Sequence, residues 1–298
     1  MKDYTFNDYK ALIEQHLMDF IPEVDHKSIT LYESMKYSLA AGGKRIRPVL
    51  LLAACDFCGG NVEEALPYAC AVEYIHTYSL IHDDLPCMDN DDLRRGIPTN
   101  HKVYGEAMAL LAGDGLQSAA FEAMNRDMLF YFDAPNELKK RVKASYEINK
   151  GSGCRGMIAG QVADMEAEDK NSSKEFLDYI HLNKTSALIV AAVRAGAYLG
   201  NPTTDMMNDL TTFAENLGLA FQIRDDILDV IGQEEEMGKK AGMDSINKKA
   251  TYPGLHGLDA SMERLQNLTD TAISVLEKYY DNAEVFTKLA KQLEVRGN

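Results

Sequence analysis

Positive charge is scarce in this sequence: 31 lysines and arginines face 46 aspartates and glutamates, a formal net charge of −15 over 298 residues. That balance excludes a protein whose work is to coat nucleic acid, because phosphate contacts need a concentrated basic surface. It leaves room for a small phosphorylated ligand, which a local basic site bridged by metal can hold inside an acidic protein. Cysteine is also sparse. Cys55, Cys58, Cys70, Cys87 and Cys154 form an odd set without the spacing of a disulfide framework. Cys55 and Cys58 make a lone CxxC that no second cysteine pair or histidine pair completes as a zinc site, and small buried side chains are expected there. Long apolar runs are missing. The longest, Val49–Cys55, is too short to span a bilayer, so no transmembrane segment is expected. The first ten residues lack the apolar core of a signal peptide. A reduced, cytoplasmic setting follows as the expectation.

The eight prolines leave residues 136–201 and 203–252 without one, and alternation of period two is almost absent. Helical periodicity takes its place. Ala71, Tyr74, Ile75, Tyr78, His82 and Leu85 follow three- and four-residue steps through 71–85, and apolar residues recur likewise through 106–130. Segment 186–199 is alanine-rich. Gly42-Gly43 closes one helix and Pro48 suits the first turn of the next. Gly59-Gly60-Asn61 and Gly200-Asn201-Pro202 are stop signals. No linker or repeat divides the chain. The pattern predicts an all-α fold, one domain over 1–298 with about ten helices. Gln233–Met237 and the Gly238-Lys239-Lys240 after it are expected to form a mobile surface loop.

Two acidic clusters stand out. The first is His82-Asp83-Asp84-Leu85-Pro86-Cys87-Met88-Asp89-Asn90-Asp91-Asp92. The second is Gln222-Ile223-Arg224-Asp225-Asp226-Ile227-Leu228-Asp229. On a helix, Gln222, Asp225, Asp226 and Asp229 share one stripe, where like charges repel by about a few tenths of a kcal/mol per pair. Apolar neighbours keep that stripe from full solvation, so a cation should occupy it, and hard oxygen ligands suit Mg²⁺ or Ca²⁺. In the first cluster Asp89 lies six residues beyond Asp83. An unbroken helix would carry it to another side, so Pro86 must end or distort the helix before the two can share an ion. The alternative for either cluster alone is a solvated acidic face or a cap.

Basic residues flank these clusters. Lys44, Arg45 and Arg47 sit in a glycine-hinged turn before a helix, and Arg94-Arg95 follows the first cluster directly. Lys184-Thr185 begins the alanine-rich helix, and Lys239 and Lys249 bracket the loop after the second cluster. Metal-binding carboxylates among separated guanidinium and ammonium groups fit two diphosphates. No GxSxG, HExxH, P-loop or GxGxxG competes. The glycine-rich Gly151–Gly156 reads as a turn between helices.

Taken in order, Gly42-Gly43-Lys44-Arg45-Ile46-Arg47-Pro48, His82-Asp83-Asp84-Leu85-Pro86, Asp89-Asn90-Asp91-Asp92-Leu93-Arg94-Arg95-Gly96, Gly160-Gln161, Lys184-Thr185, Phe221-Gln222-Ile223-Arg224-Asp225-Asp226 and Lys249-Ala250-Thr251-Tyr252-Pro253 make the chain resemble the trans-prenyl diphosphate synthases, in particular the bacterial farnesyl diphosphate synthases. The resemblance covers nearly the whole length. It implies a dimeric helical bundle around a deep central cavity, in which an allylic diphosphate is condensed with isopentenyl diphosphate. Asp83 and Asp89, supported by Asp84, are then the main ligands of two Mg²⁺ ions, and Asp225, supported by Asp226 and Asp229, a ligand of a third. Arg94, Lys184, Lys239 and Lys249 would contact the allylic diphosphate. Lys44, Arg47, His76 and Arg95 would hold isopentenyl diphosphate, and Thr185 and Gln222 would face the reacting carbon. Product length falls to Ser79 and Tyr78, on the turn below Asp83. Tyr78 and the Pro86-Cys87 insertion resemble enzymes that stop at fifteen carbons. Ile158-Ala159 and Ser186 stand where relatives often carry smaller residues and bear on cavity shape. A geranylgeranyl product is the nearest alternative. A terpene cyclase or a non-catalytic subunit would be expected to lack part of this set, and neither cluster has EF-hand spacing.

Overall fold

The computed structural model describes residues 4–167, 173–231 and 251–295. It is 78% helical, with about 12 helices and almost no strand, as the all-α pattern predicts. The loop expected at 233–240 lies outside the described residues, as do Lys239 and Lys249.

Helix α1 spans Phe6–His16, α2 Ile29–Ala40, α3 Ile46–Phe57 and α4 Leu66–Asp83. A two-residue hairpin, β1 Leu93–Arg94 and β2 Ile97–Pro98, separates α4 from the short α5, Asn100–Tyr104. Helix α6 (Glu106–Phe130), α7 (Pro135–Ser152), α8 (Met157–Ala167) and α9 (Lys174–Ile180) follow. A π-helical turn, His181–Ser186, leads from α9 into α10 (Ala187–Leu199), and α11 runs from Thr204 to Ile231. Helices at 252–256, 258–274 and 284–295 complete the described chain.

Helix α4 lies at the centre. From Tyr68 to Ile75 every residue is buried, including Glu73, which marks a helix covered on all sides rather than on one stripe. It packs along α6, while α10 is held between α3 and α7. Small residues set these distances. A Cβ on Gly196 of α10 would lie 2.0 Å from the Leu51 carbonyl oxygen of α3, so the two helices touch backbone to backbone. Cys55 and Cys58 are buried at this seam, as expected of small packing residues.

Helix starts and stops follow the sequence punctuation. Pro48 sits in the first turn of α3, Pro67 and Pro135 open α4 and α7, and Gly200 follows the last residue of α10. The Gly151–Gly156 stretch spans the join of α7 and α8.

Far from the glycine turn, Arg141 joins α6, α7 and the segment before α4. Its guanidinium bonds Glu64, Asp127 and Glu137 at 2.8–2.9 Å and lies 3.3 Å from the centre of the Tyr131 ring. The side chain is buried, so its loss strands the poorly solvated Asp127 carboxylate. Arg141→Ala is expected to destabilise the protein by about 3 kcal/mol, the scale for breaking a buried pair from one side. Urea unfolding followed by circular dichroism measures it.

Candidate active site

The glycine turn before α3 is built on Arg45. This residue takes a left-handed backbone (φ +53°) and sends its side chain inward, where it is fully buried. Its Nε donates to Glu14 at 2.8 Å, Nη1 to Glu73 at 2.6 Å, and Nη2 to the Leu39 carbonyl at 2.8 Å. Arg45 is therefore an anchor, and the cations presented by this turn are its neighbours. Lys44 is exposed on the turn. Arg47 enters α3 with Nη1 3.5 Å from His76 Nε2 and with its Nε buried without a hydrogen-bond partner.

Arg95 reaches the same place from the hairpin. Arg95 and Gly96, at φ +55° and +79°, form the two-residue loop, a pair of positive φ values that matches the right-handed twist of short hairpins. The Arg95 guanidinium donates to the Gly42 carbonyl and lies against Gly43, where a Cβ would come within 2.8 Å of it. Gly43 is thus required twice, for its φ of +139° and for that contact. Burial, then Arg95, works against the charge on Arg47, and Glu73 and Asp225 offset only part of it. The His76 imidazole is pushed well below its usual range by burial and by Arg47, Arg95 and Arg94. A guanidinium keeps its proton at physiological pH, so this crowd of cations is a site that favours an anion.

Carboxylates gather at the end of α4 and along α11. Helix α4 ends at Asp83, and the chain folds back so that the Asp89 amide donates to the Asp83 carbonyl at 2.9 Å. The Met88 and Asn90 amides both bond the Leu85 carbonyl, with Asn90 at φ +52°. This is the break that the spacing of Asp83 and Asp89 demanded. Burial, helped by the nearby Asp89, raises the Asp83 carboxyl to about 6, against a partial counter-effect from Lys184. Asp84 points elsewhere. It is buried and gripped by Arg94, whose Nε and Nη2 approach it at 2.5–2.8 Å. On α11, Asp229 is buried with one carboxylate oxygen lacking a partner. Asp226 is spent on structure, accepting from Gln222 at 2.9 Å and from the Tyr252 amide at 2.8 Å, with His181 at 3.3 Å. Among the described residues no three carboxylate, imidazole or thiol groups converge into a finished metal cage. Desolvated carboxylates in ones and twos are the donor set of a cation that completes its shell with ligand phosphate and water.

The π-helical turn, His181–Ser186, adds Lys184 and Thr185 to the cavity lining. Lys184 and Thr185 fall within it rather than at the start of an α-helix, because α8 presses on that backbone: a Cβ on Gly160 would lie 2.0 Å from the Lys184 nitrogen. Lys184 Nζ bonds Asp164 at 2.5 Å. Thr185 donates to Gln222 Oε1 at 2.6 Å, which continues the chain to Asp226. Arg47, His76, Asp83, Lys184 and Thr185 border one cavity of about 420 Å³, with Met157, Val162 and Met165 among its apolar walls, while Asp84, Arg94 and Arg95 line a separate pocket beside it.

The Polyprenyl synthetase family pattern matches residues 28–289. The chain belongs to that family. A farnesyl diphosphate synthase of Geobacillus stearothermophilus is 47% identical over 279 residues, 94% of this chain and 91% of the relative. A chloroplastic geranylgeranyl pyrophosphate synthase of Capsicum annuum is 50% identical over 250 residues, 84% of this chain and 66% of the relative. Among solved structures, an FPP/GFPP synthase of Zymomonas mobilis superposes with a TM-score of 0.83 at 34% identity, covering 98% of this chain and 100% of that one. As a polyprenyl synthetase the protein is a prenyltransferase.

In this polyprenyl synthetase, Arg47, His76, Tyr78, Ser79, Asp83, Lys184 and Thr185 line one cavity, and Gln222 joins it through Thr185. Arg95 is tied to the cation side through the glycine turn. Arg94 is turned onto Asp84. Three contributors escape the sequence reading. Glu14 and Glu73 hold Arg45, which the sequence groups with the ligand-facing cations. Asp164 holds Lys184, and its three-residue spacing from Gln161 on α8 is the signal that could have found it. Gly160→Ala is expected to push Lys184 and Thr185 off the cavity, costing about 1–3 kcal/mol from overpacking and most of the turnover. Thermal denaturation and initial rates check both.

Proposed function

We propose that the protein condenses isopentenyl diphosphate with dimethylallyl or geranyl diphosphate to give mainly farnesyl diphosphate, as a one-domain homodimer that uses three Mg²⁺ ions. The observation that carries this reading is the polarity of a single cavity. Arg47, Lys184 and a neutral His76 line it together with the desolvated Asp83, and apolar side chains including Met157, Val162 and Met165 make up the rest of its wall. A terpene cyclase would have no use for the cation turn at 42–47.

Asp83, Asp89, Asp225 and Asp229 would hold Mg²⁺, which supplies charge neutralisation for a departing diphosphate. Arg47, His76 and Arg95, with Lys44 on the turn above, hold the isopentenyl diphosphate. Its anion relieves the repulsion among those cations. Arg94 and Lys184 take up charge on the allylic diphosphate once they leave Asp84 and Asp164, and Lys239 and Lys249 join them. The allylic C–O bond breaks with its electron pair on the leaving diphosphate. The isopentenyl double bond supplies the pair for the new C–C bond, and a proton then leaves to the released diphosphate. Thr185 has its hydroxyl hydrogen committed to Gln222, so its oxygen lone pairs are what it offers the allylic cation. The His76 imidazole is neutral and the Tyr78 phenol, raised to about 12 by burial and Asp83, keeps its proton. Neither contributes a full charge that would quench or repel the cation.

Tyr78 supports the fifteen-carbon product. Both it and Ser79 line the cavity one turn below Asp83, and the Ser79 hydroxyl is turned back onto the His76 carbonyl, which leaves the bulk of the stop to the tyrosine. The geranylgeranyl alternative has its own support in exposed Ile158 and Val162, which make one wall less closed.

Incubation with Mg²⁺, isopentenyl diphosphate and dimethylallyl diphosphate, followed by mass spectrometry, is expected to yield a C15 diphosphate. No condensation with any allylic primer would overturn the reading. Tyr78→Ala is expected to lengthen the product, and an unchanged profile would remove the tyrosine from this role. Metal affinity also has a defined pH dependence. The folded Asp83 carboxyl lies above its unfolded value, so in metal-free protein its contribution to stability is lost as pH rises through about 6. Protons therefore compete with Mg²⁺ below that point. Affinity measured by calorimetry is expected to rise about tenfold per pH unit up to about 6 and then level off. A flat affinity from pH 5 to 7 would contradict a metal site that includes an Asp83 carboxyl raised to about 6.

A further inference from the structure

His82 precedes the first aspartate of the metal cluster, and none of the roles above uses it. Its side chain occupies a defined place. The Nε2 donates to the Leu110 carbonyl of α6 at 3.0 Å, which fixes the tautomer with hydrogen on Nε2. The ring fills a notch that exists only because residue 113 is glycine: a Cβ there would lie 2.1 Å from Nε2 and 2.4 Å from Cδ2. The Tyr78 ring meets it edge-on, with centroids 5.7 Å apart and planes at 71°. His82, Tyr78 and Leu110 all line the same cavity. One turn of α4 separates Tyr78 from His82, so the two rings form a continuous surface that α6 backs from behind.

We propose that His82 is the side wall that braces Tyr78 in the elongation cavity, a specificity-determining residue locked in place by the Gly113 notch. This rests on the prenyl-chain reading given above. Tyr78 alone is a ring on a flexible χ1–χ2 pair. Resting against an imidazole that is hydrogen-bonded to α6 and seated in the Gly113 notch, it becomes a wall with one position. The growing chain stops where that wall stands.

The test is the ratio of C15 to C20 product at fixed substrate concentrations, a ratio taken among products and independent of how fast each variant turns over. His82→Ala removes the imidazole that props Tyr78 from the side, and the ratio is expected to move at least fivefold towards C20. His82→Gln keeps an amide donor within reach of the Leu110 carbonyl and is expected to hold the ratio within twofold of the unmodified protein. Gly113→Ala closes the notch and drives the ring into the cavity, so the ratio moves the other way, towards shorter product. An unchanged ratio in His82→Ala overturns the proposal. Should that variant fail to fold, Gly113→Ala decides alone: no shift, or a shift towards longer product, overturns it. Absence of any condensation by the unmodified protein overturns the proposed function and this inference together, whereas a normal C15 profile with indifferent variants overturns only this one.

Discussion

The site depends on a guanidinium that never meets the ligand. Arg45, in a left-handed backbone and fully buried, consumes the charge of Glu73 and Glu14 and ties α1, α4 and the end of α2 to the start of α3. A buried charge of this kind contributes little net stability, and losing one partner strands the others at a cost of about 3–5 kcal/mol. What it does is allocate charge. With Glu73 engaged by Arg45, Arg47 and Arg95 stand close together in a poorly solvated place that favours an anion. The glycines at 42 and 43 follow from that anchor, because the chain must turn sharply and Arg95 must lie against it.

The acidic side has a complementary construction. Helix α4 is buried on all sides from Tyr68 to Ile75, and the fold-back after Asp83 brings Asp89 into the field of the Asp83 carboxylate. Asp84 and Asp226, the second aspartate of each cluster, face into the protein. One holds Arg94, and the other ties Gln222 to the Tyr252 backbone. In each doublet the second carboxylate braces the scaffold, while of the first ones Asp83 lines the cavity and Asp225 acts on the Arg47 charge. The Thr185–Gln222–Asp226 chain carries that bracing from α11 to the π-helical turn.

Much of this was legible in the sequence, and the rest was not for identifiable reasons. The limits of α6 followed from periodicity alone, and the break after Asp83 followed from the need to bring two aspartates six residues apart together past Pro86. The inward turn of Arg45 could not be read locally, since its partners come from α1 and α4, far away in the chain. The π-helical turn at Lys184 was equally hidden, because it reflects backbone contact with Gly160 on another helix rather than any propensity of His181–Ser186. His82 showed as one position in a helical stripe and at the head of the first acidic cluster, and its notch belongs to α6.

Two diphosphates held by different physics, one by surplus arginines and one by aspartates through metal, is the central claim. Calorimetry with each diphosphate, with and without Mg²⁺, tests it most directly. Isopentenyl diphosphate is expected to bind the metal-free protein with an affinity that Mg²⁺ changes by less than about threefold, while an allylic analogue that cannot ionise gains at least about tenfold from the metal. Equal dependence of both ligands on Mg²⁺, or of neither, would contradict the division of the cavity into a cationic side and a metal side.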